Sequence, residues 1–235
     1  MLVVRCARVV VSCVAVIAII AGSISLAEDK PAASKKADET GFVPLFDGKT
    51  LAGWTGSKDY AVENGAIVCV AGGKGNLLTE KEYEDFVLRF EFKLTPGANN
   101  GLGIRCPLRA EGNLHLDGIE LQILDDKHEK YKEIKPYQFH GSVYGIVPAK
   151  PGFLKPVGEW NSQEVTVRGS QVQVVLNGTT IVDADIHAAA KAGTLDGALH
   201  PGLTRQTGHL GWLGHGDRVD FRNIRIKVLT HPTST

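Results

Sequence analysis

Apolar and polar residues alternate over short stretches along most of this 235-residue chain, with the period of a β-strand. The clearest case is DFVLRFEFKLTPG, where Phe86, Leu88, Phe90, Phe92 and Leu94 share one parity and Val87, Arg89, Glu91 and Lys93 the other. This predicts a strand with one buried and one wet face. NNGLGIRCP sets Leu102, Ile104 and Cys106 against Gly101, Gly103 and Arg105; GIELQILDD then sets Ile119, Leu121 and Ile123 against Glu120 and Gln122. SQEVTVRGSQVQVVLNGTTIVDADI predicts three strands, turning at Arg168-Gly169-Ser170 and at Asn177-Gly178, a pair suited to the positive φ of a tight hairpin. In DRVDFRNIRIKVL the apolar parity changes between Val219, Phe221 and Ile224, Ile226, Val228, which predicts a bulge at Arg222-Asn223. Helical periodicity is weak, and HAAAKAGTL (187–195) predicts one short turn or helix.

Residues 127–156 and 187–207 are too irregular for strands. Long loops in a compact β-domain are either functional or disordered. The first carries Tyr131, Tyr137, Phe139, His140, Tyr144 and Phe153, a content that suits a binding wall. The expected architecture is all-β: a two-sheet antiparallel sandwich or jelly roll with a concave face ringed by loops.

The N-terminus changes this picture by subtraction. Arg5 and Arg8 precede an apolar run from Val9 to about Ala21, and Ser25-Leu26-Ala27 supplies small residues before Glu28. This is the layout of a secretory signal peptide, 1–27, and the run is shorter than the roughly 20 residues a membrane-spanning helix needs. Residues 28–40, polar and Lys- and Ala-rich without aromatics, read as a disordered tether. The remaining residues, 41–235, suit one domain that is secreted or periplasmic. Cleavage leaves 24 Lys+Arg against 26 Asp+Glu, a near-neutral chain without the footprint of a nucleic-acid binder and without a membrane anchor. It also leaves only Cys69 and Cys106, read as free, buried thiols with a single bridge as the alternative.

Candidate chemistry gathers on the polar parity of the central strands. Asn99 and Asn100 open one strand, Arg105 shares its glycine face, and Glu120 and Gln122 lie on the polar face of the next. Gly101 and Gly103 leave a hollow for a ligand. A hollow bordered by Arg, Glu, Gln and Asn has the donors and acceptors that sugar hydroxyls require; the plainer alternative is a solvated face with an Arg105–Glu120 ion pair. His215 lies in a GHGD turn, His140 before Gly141, and His115 just before the Glu120 strand, each a candidate acid or base. No His pair has metal-ligand spacing. Asp125-Asp126 is an acidic pair of the kind that helps hold calcium, but no loop of alternating acids is present. There is no GxSxG elbow and no phosphate-cradling glycine loop, so neither a serine nucleophile nor a nucleotide cofactor is expected, and no other cofactor is indicated.

VPLFDGKTLAGW, YEDFVLRFEFKL, NNGLGIR, GIELQILDD, GSVYG, GEWNSQEVTV, VVLNG and VDFRNIRI, in this order, resemble the 3-keto-disaccharide hydrolase family from about residue 41 to 229. The resemblance implies a concanavalin A-like lectin/glucanase fold, export, and cleavage of glycosides already oxidised to a ketone at C3. A C3 ketone acidifies the C2 proton, so a general base suffices to begin elimination. On this reading Glu120 is the acid/base, His215 a second proton-transfer group and Arg105 the donor to the enolate. Asn99, Asn100, Gln122, His140, Tyr144 and Trp160 are expected to hold a small-molecule or oligosaccharide substrate. Two positions depart from the family pattern: Asn99-Asn100-Gly101 replaces Asn-Ser-Gly, and Leu213 stands where a Gln is usual.

Two other readings of the same residues remain open. Glu120-x-Gln122-x-x-Asp125 has the spacing of the ExDxxE strand of retaining glucanases, with two substitutions; that chemistry needs two carboxyl groups about 5–5.5 Å apart. A non-catalytic carbohydrate-binding module would need aromatic platforms, for which Trp54, Trp160 and Trp212 are the candidates.

Overall fold

The computed structural model describes residues 38–108 and 113–230. The expected signal peptide and most of the tether lie outside the described residues. The strands and helices, numbered along the chain, are β1 (Val43–Pro44), β2 (Trp54–Gly56), β3 (Tyr60–Glu63), β4 (Ala66–Cys69), β5 (Asn76–Tyr83), β6 (Phe86–Leu94), β7 (Asn99–Cys106), α1 (Leu114–Asp117), β8 (Ile119–Leu124), β9 (Trp160–Arg168), β10 (Gln171–Leu176), β11 (Thr179–Asp185), α2 (Ile186–Ala190), β12 (Gly208–Gly214) and β13 (Val219–Val228). They form two antiparallel sheets. The larger runs β11-β10-β9-β6-β13-β4-β3, with β1 also paired to β13, and the smaller runs β2-β5-β12-β7-β8.

Alternation decides which side chains meet between the sheets. The five apolar residues of β6 are all buried while the intervening four are half-buried on the outer face. Against them the smaller sheet places Trp212, Leu102 and Leu121, which are cross-strand partners on β12, β7 and β8. Trp212 stacks on Phe221 with ring centroids 3.8 Å apart and meets Phe90 edge-on at 5.1 Å, at the centre of the shared core. The Asn177-Gly178 hairpin forms with φ of 49° and 86°, as its two-residue turn requires. The bulge expected near Arg222-Asn223 is present: the register with β6 shifts between Arg222 and Arg225, and Asn223 has φ 52°. Asp185 caps α2 by accepting from the backbone N–H groups of His187 and Ala188.

One expected parity is wrong, and it bears on the site. In β7, Arg105 has φ 53°, and the register with β12 slips so that Ile104 and Arg105 together oppose Leu210. This bulge turns Cys106 onto the face that Arg105 would otherwise hold, where it packs with Leu78, Leu114 and Leu213. Cys69 and Cys106, on different sheets, are both free and buried. Burial pushes the Cys106 thiol up to about 12, so it stays protonated and inert.

Candidate active site

β8 is the edge strand of the smaller sheet, and a loop segment completes that edge. Gly141 N–H donates to Gln122 O (2.7 Å), Gln122 N–H to Ser142 O (3.0 Å) and Tyr144 N–H to Glu120 O (2.9 Å). Residues 141–144 thus hold Tyr144 beside the outward-facing parity of β8, which carries Glu120 and Gln122. On the other flank, the turn between β12 and β13 is stapled to the 72–75 loop: Gly216 N–H donates to Gly73 O (3.0 Å) and Gly72 N–H to Gly216 O (2.8 Å). Asp217 adds a third tie by accepting from the Asn99 N–H (3.1 Å). These ties hold His215 over Glu120, with Nε2 3.4 Å from Oε1.

Between the flanks lies a cleft of about 320 Å3 lined by Asn99, His115, Glu120, Gln122, Leu124, Tyr131, Ile134, Gln138, Tyr144 and His215. Among the described residues Glu120 is the only carboxylate that lines it. The Glu120 side chain is 3 % exposed and that of His215 41 %, so the acid forms the floor and the imidazole the rim. The hydrogen bond to Glu120 raises the His215 pKa, against the opposing effect of burial; the charges of Glu120 and Asp217 add to the rise. Gln138 Nε2–H donates to Tyr144 Oη (3.1 Å), leaving the phenol proton free to donate. Asn99 Oδ1 is buried and has no hydrogen-bond partner among the described residues, an acceptor available to a hydroxyl.

Glycine makes room for the acid. A Cβ at Gly101 would fall on the Glu120 carboxylate, so the hollow expected for a ligand is occupied by the acid itself. The space at Gly103 is taken by the Cys106 sulfur and Leu213.

Of the residues expected at the site, Glu120, His215, Gln122, Asn99 and Tyr144 converge, and four lie elsewhere. Arg105 is 2 % exposed, and its bulge carries the guanidinium away from the cleft, to donate to Gly169 O (2.5 Å) and Arg205 O (3.1 Å). Asn100 takes the core parity, opposite Ile123, and is fully buried. His140 is buried between the sheets, stacked on Phe92 at 4.9 Å and bonded through Nε2 to Gln163 Oε1 (2.9 Å). Trp160 lies on the outer face of the larger sheet, beneath Arg222 at 3.9 Å and Lys93 at 4.9 Å. The acids at the end of β8 hold backbone: Asp125 accepts from Gly97 N–H (2.8 Å) and Asp126 from His140 N–H (3.2 Å).

Other lining residues were anticipated less fully. His115, expected as a candidate acid or base, lies on the four-residue α1 and packs edge-on against Tyr144 at 6.1 Å. Tyr131 and Gln138 come from the aromatic loop, where only the loop's composition pointed to a wall. Two larger depressions, of about 420 Å3 beside Asp47 and Arg225 and about 460 Å3 beside Lys127 and Val157, lie away from Glu120. Among the described residues no three His, Cys, Asp or Glu side chains gather to hold a metal ion.

Known proteins are similar to this chain in sequence and fold. Residues 41–227 match the family described as 3-keto-alpha-glucoside-1,2-lyase-like domain. A 3-keto-disaccharide hydrolase of Bacteroides thetaiotaomicron is 30% identical, across 82% of this chain and 80% of that protein. The crystal structure of a candidate glycosyl hydrolase from Parabacteroides distasonis ATCC 8503 superposes with a TM-score of 0.69 at 30% identity, covering 80% of this chain and 99% of the other. A Bacillus subtilis protein of unknown function with a galectin-like fold superposes at 0.55 with 10% identity, over 79% of this chain and 94% of the other, a likeness of fold alone.

Proposed function

This chain belongs to the 3-keto-alpha-glucoside-1,2-lyase-like domain family, and from that premise we propose that it is an exported enzyme cleaving 3-keto-glycosides at Glu120. The observation that carries the reading is the buried Glu120 carboxylate on the cleft floor with an imidazole 3.4 Å away. Glu120 takes the C2 proton, and the C2–H electron pair forms the enolate with the C3 ketone. Gln122 and Tyr144 supply donors for the enolate oxygen, the role once expected of Arg105. The enolate collapses, the C1–O bond breaks, and the departing oxygen takes a proton from His215. The Glu120 carboxylate beside it raises the His215 pKa, which favours the protonated imidazole that this step needs. Water then adds at C1 and a proton returns to C2, so the net reaction is hydrolysis to a 3-keto sugar and a free alcohol.

Two observations weigh against the other readings. A retaining glucanase needs a second carboxyl group about 5–5.5 Å from the first, whereas Gln122 lines the floor and Asp125 is turned to the Gly97 backbone. A binding module would use exposed aromatic platforms, but Trp54 and Trp212 are buried and Trp160 lies beneath two cations.

The test offers purified protein a glucoside and its 3-keto derivative, wild type beside Glu120→Gln. The expected result is turnover of the ketone alone, reduced at least about a hundredfold by the substitution. Turnover of the plain glucoside contradicts the proposal in favour of the glucanase, and tight binding without turnover contradicts it in favour of the module.

A further inference from the structure

The cleft does not end at His115 and His215. Both residues also line a second, smaller lobe of about 150 Å3, whose other walls are Lys74, Asn76, Asn113, Leu114, Leu213 and Gly214. The two histidines therefore form a waist between two compartments. The compartments differ in chemistry. The larger holds the Glu120 carboxylate, Gln122 and Tyr144. The smaller has an apolar floor in Leu114 and Leu213, both buried, and a polar rim in Asn76 and the exposed ammonium of Lys74. Among the described residues no carboxylate pairs with Lys74.

We propose that this second lobe is the leaving-group site, taking one sugar ring on the Leu114–Leu213 floor with its hydroxyls bonded by Lys74 and Asn76. The inference rests on the proposed cleavage of 3-keto-glycosides at Glu120, and bond connectivity sets its direction. The proton removed is on C2 and the bond broken is at C1, so the leaving oxygen is two bonds from the atom facing Glu120. With the keto ring against Glu120, that oxygen falls at the waist, beside His215, and its substituent extends into the smaller lobe. An apolar floor with hydrogen-bonding groups at its edge matches a pyranose, which presents C–H groups on its faces and hydroxyls around its rim. The volume, less than half that of the main cleft, admits a single ring, and the exposed rim lets longer substituents leave into solvent. The 72–75 loop that carries Lys74 is the one stapled to the His215 turn, so the rim of one compartment and the proton donor of the other are held as one unit.

The experiment compares kcat/KM for a two-ring substrate, a 3-keto-disaccharide, with that for methyl 3-keto-glucoside, which leaves the lobe empty. Lys74→Ala and Asn76→Ala are each expected to lower the two-ring to one-ring ratio by about tenfold, the worth of one hydrogen bond to a charged or polar partner. In parallel, methyl NMR signals of Leu114 and Leu213 are followed in Glu120→Gln, which binds without consuming. They are expected to shift with the two-ring ligand and not with the methyl glucoside. An unchanged ratio, equal losses for both substrates, or methyl signals indifferent to the second ring would overturn the assignment. If wild type cleaves neither ketone, the catalytic reading is the one that fails, and the methyl shifts still decide whether the lobe holds a ring.

Discussion

Glu120 stands on β8 opposite Gly103, with its carboxylate in the space a side chain at Gly101 would need. A buried acid with no freedom to swing holds its lone pairs in one direction, as proton abstraction from a positioned C–H bond requires. Gly101→Ala should therefore displace the acid without touching it chemically. The expected result is a fall in kcat/KM of about a hundredfold with the fold retained by circular dichroism, and near-wild-type kinetics would contradict the claim. At this scale the sequence was only partly legible. Glu120, Gln122 and His215 could be named because two lie on the polar parity of a clear strand and the third sits in a glycine turn. Arg105 was misplaced because it is itself the bulged residue, with φ 53°, and alternation counting assumes no such residue. His140 and Trp160 were misplaced for another reason: a polar aromatic fits a core, an outer face and a sugar site equally well, and only the fold decides.

Strands were the most legible elements. The alternation of β6, the hairpins joining β9, β10 and β11, and the late bulge in β13 all appear where the pattern put them. The long segment after β8 was legible as a loop but not as a structure. It adds residues 141–144 to the sheet edge and drives His140 between the sheets, where Nδ1 accepts from Leu124 N–H (3.3 Å). That burial pushes the His140 pKa down to about 4, partly opposed by the hydrogen bond its Nε2–H donates to Gln163 Oε1. Below about pH 6.5 the unfolded ring takes up a proton that the folded ring refuses, so stability drops as pH falls from 6.5 towards 4 and levels off beneath it. Denaturant unfolding should show this group costing about 2 kcal/mol between pH 7 and pH 5. His140→Gln, which cannot titrate, should lose that part of the slope. An unchanged slope would contradict this and mean that the ring takes up its proton at the same pH folded and unfolded.

For the whole molecule, two stacked sheets supply a rigid platform, edge strand β8 supplies the acid and amide, and the flanking loops supply His215 and Tyr144. The smaller sheet is apolar towards Trp212 and the core, while β7 and β8 turn glycines, an acid and an amide outwards. The family was legible because eight weak motifs recur in one order along residues 41–229, and the family match covers 41–227. The cleft's two compartments were not legible, because the waist between them is made by His115 and His215, a hundred residues apart in sequence and brought together only by folding. The central claim is that Glu120 removes the C2 proton of a 3-keto-glycoside. Its most direct test is cleavage in D2O, with the sugar followed by proton NMR. The account predicts one deuterium at C2 of the released 3-keto sugar at every turnover, and no enzyme-dependent exchange with Glu120→Gln. A product that retains its C2 proton would contradict it and show that the C1–O bond breaks by direct hydrolysis.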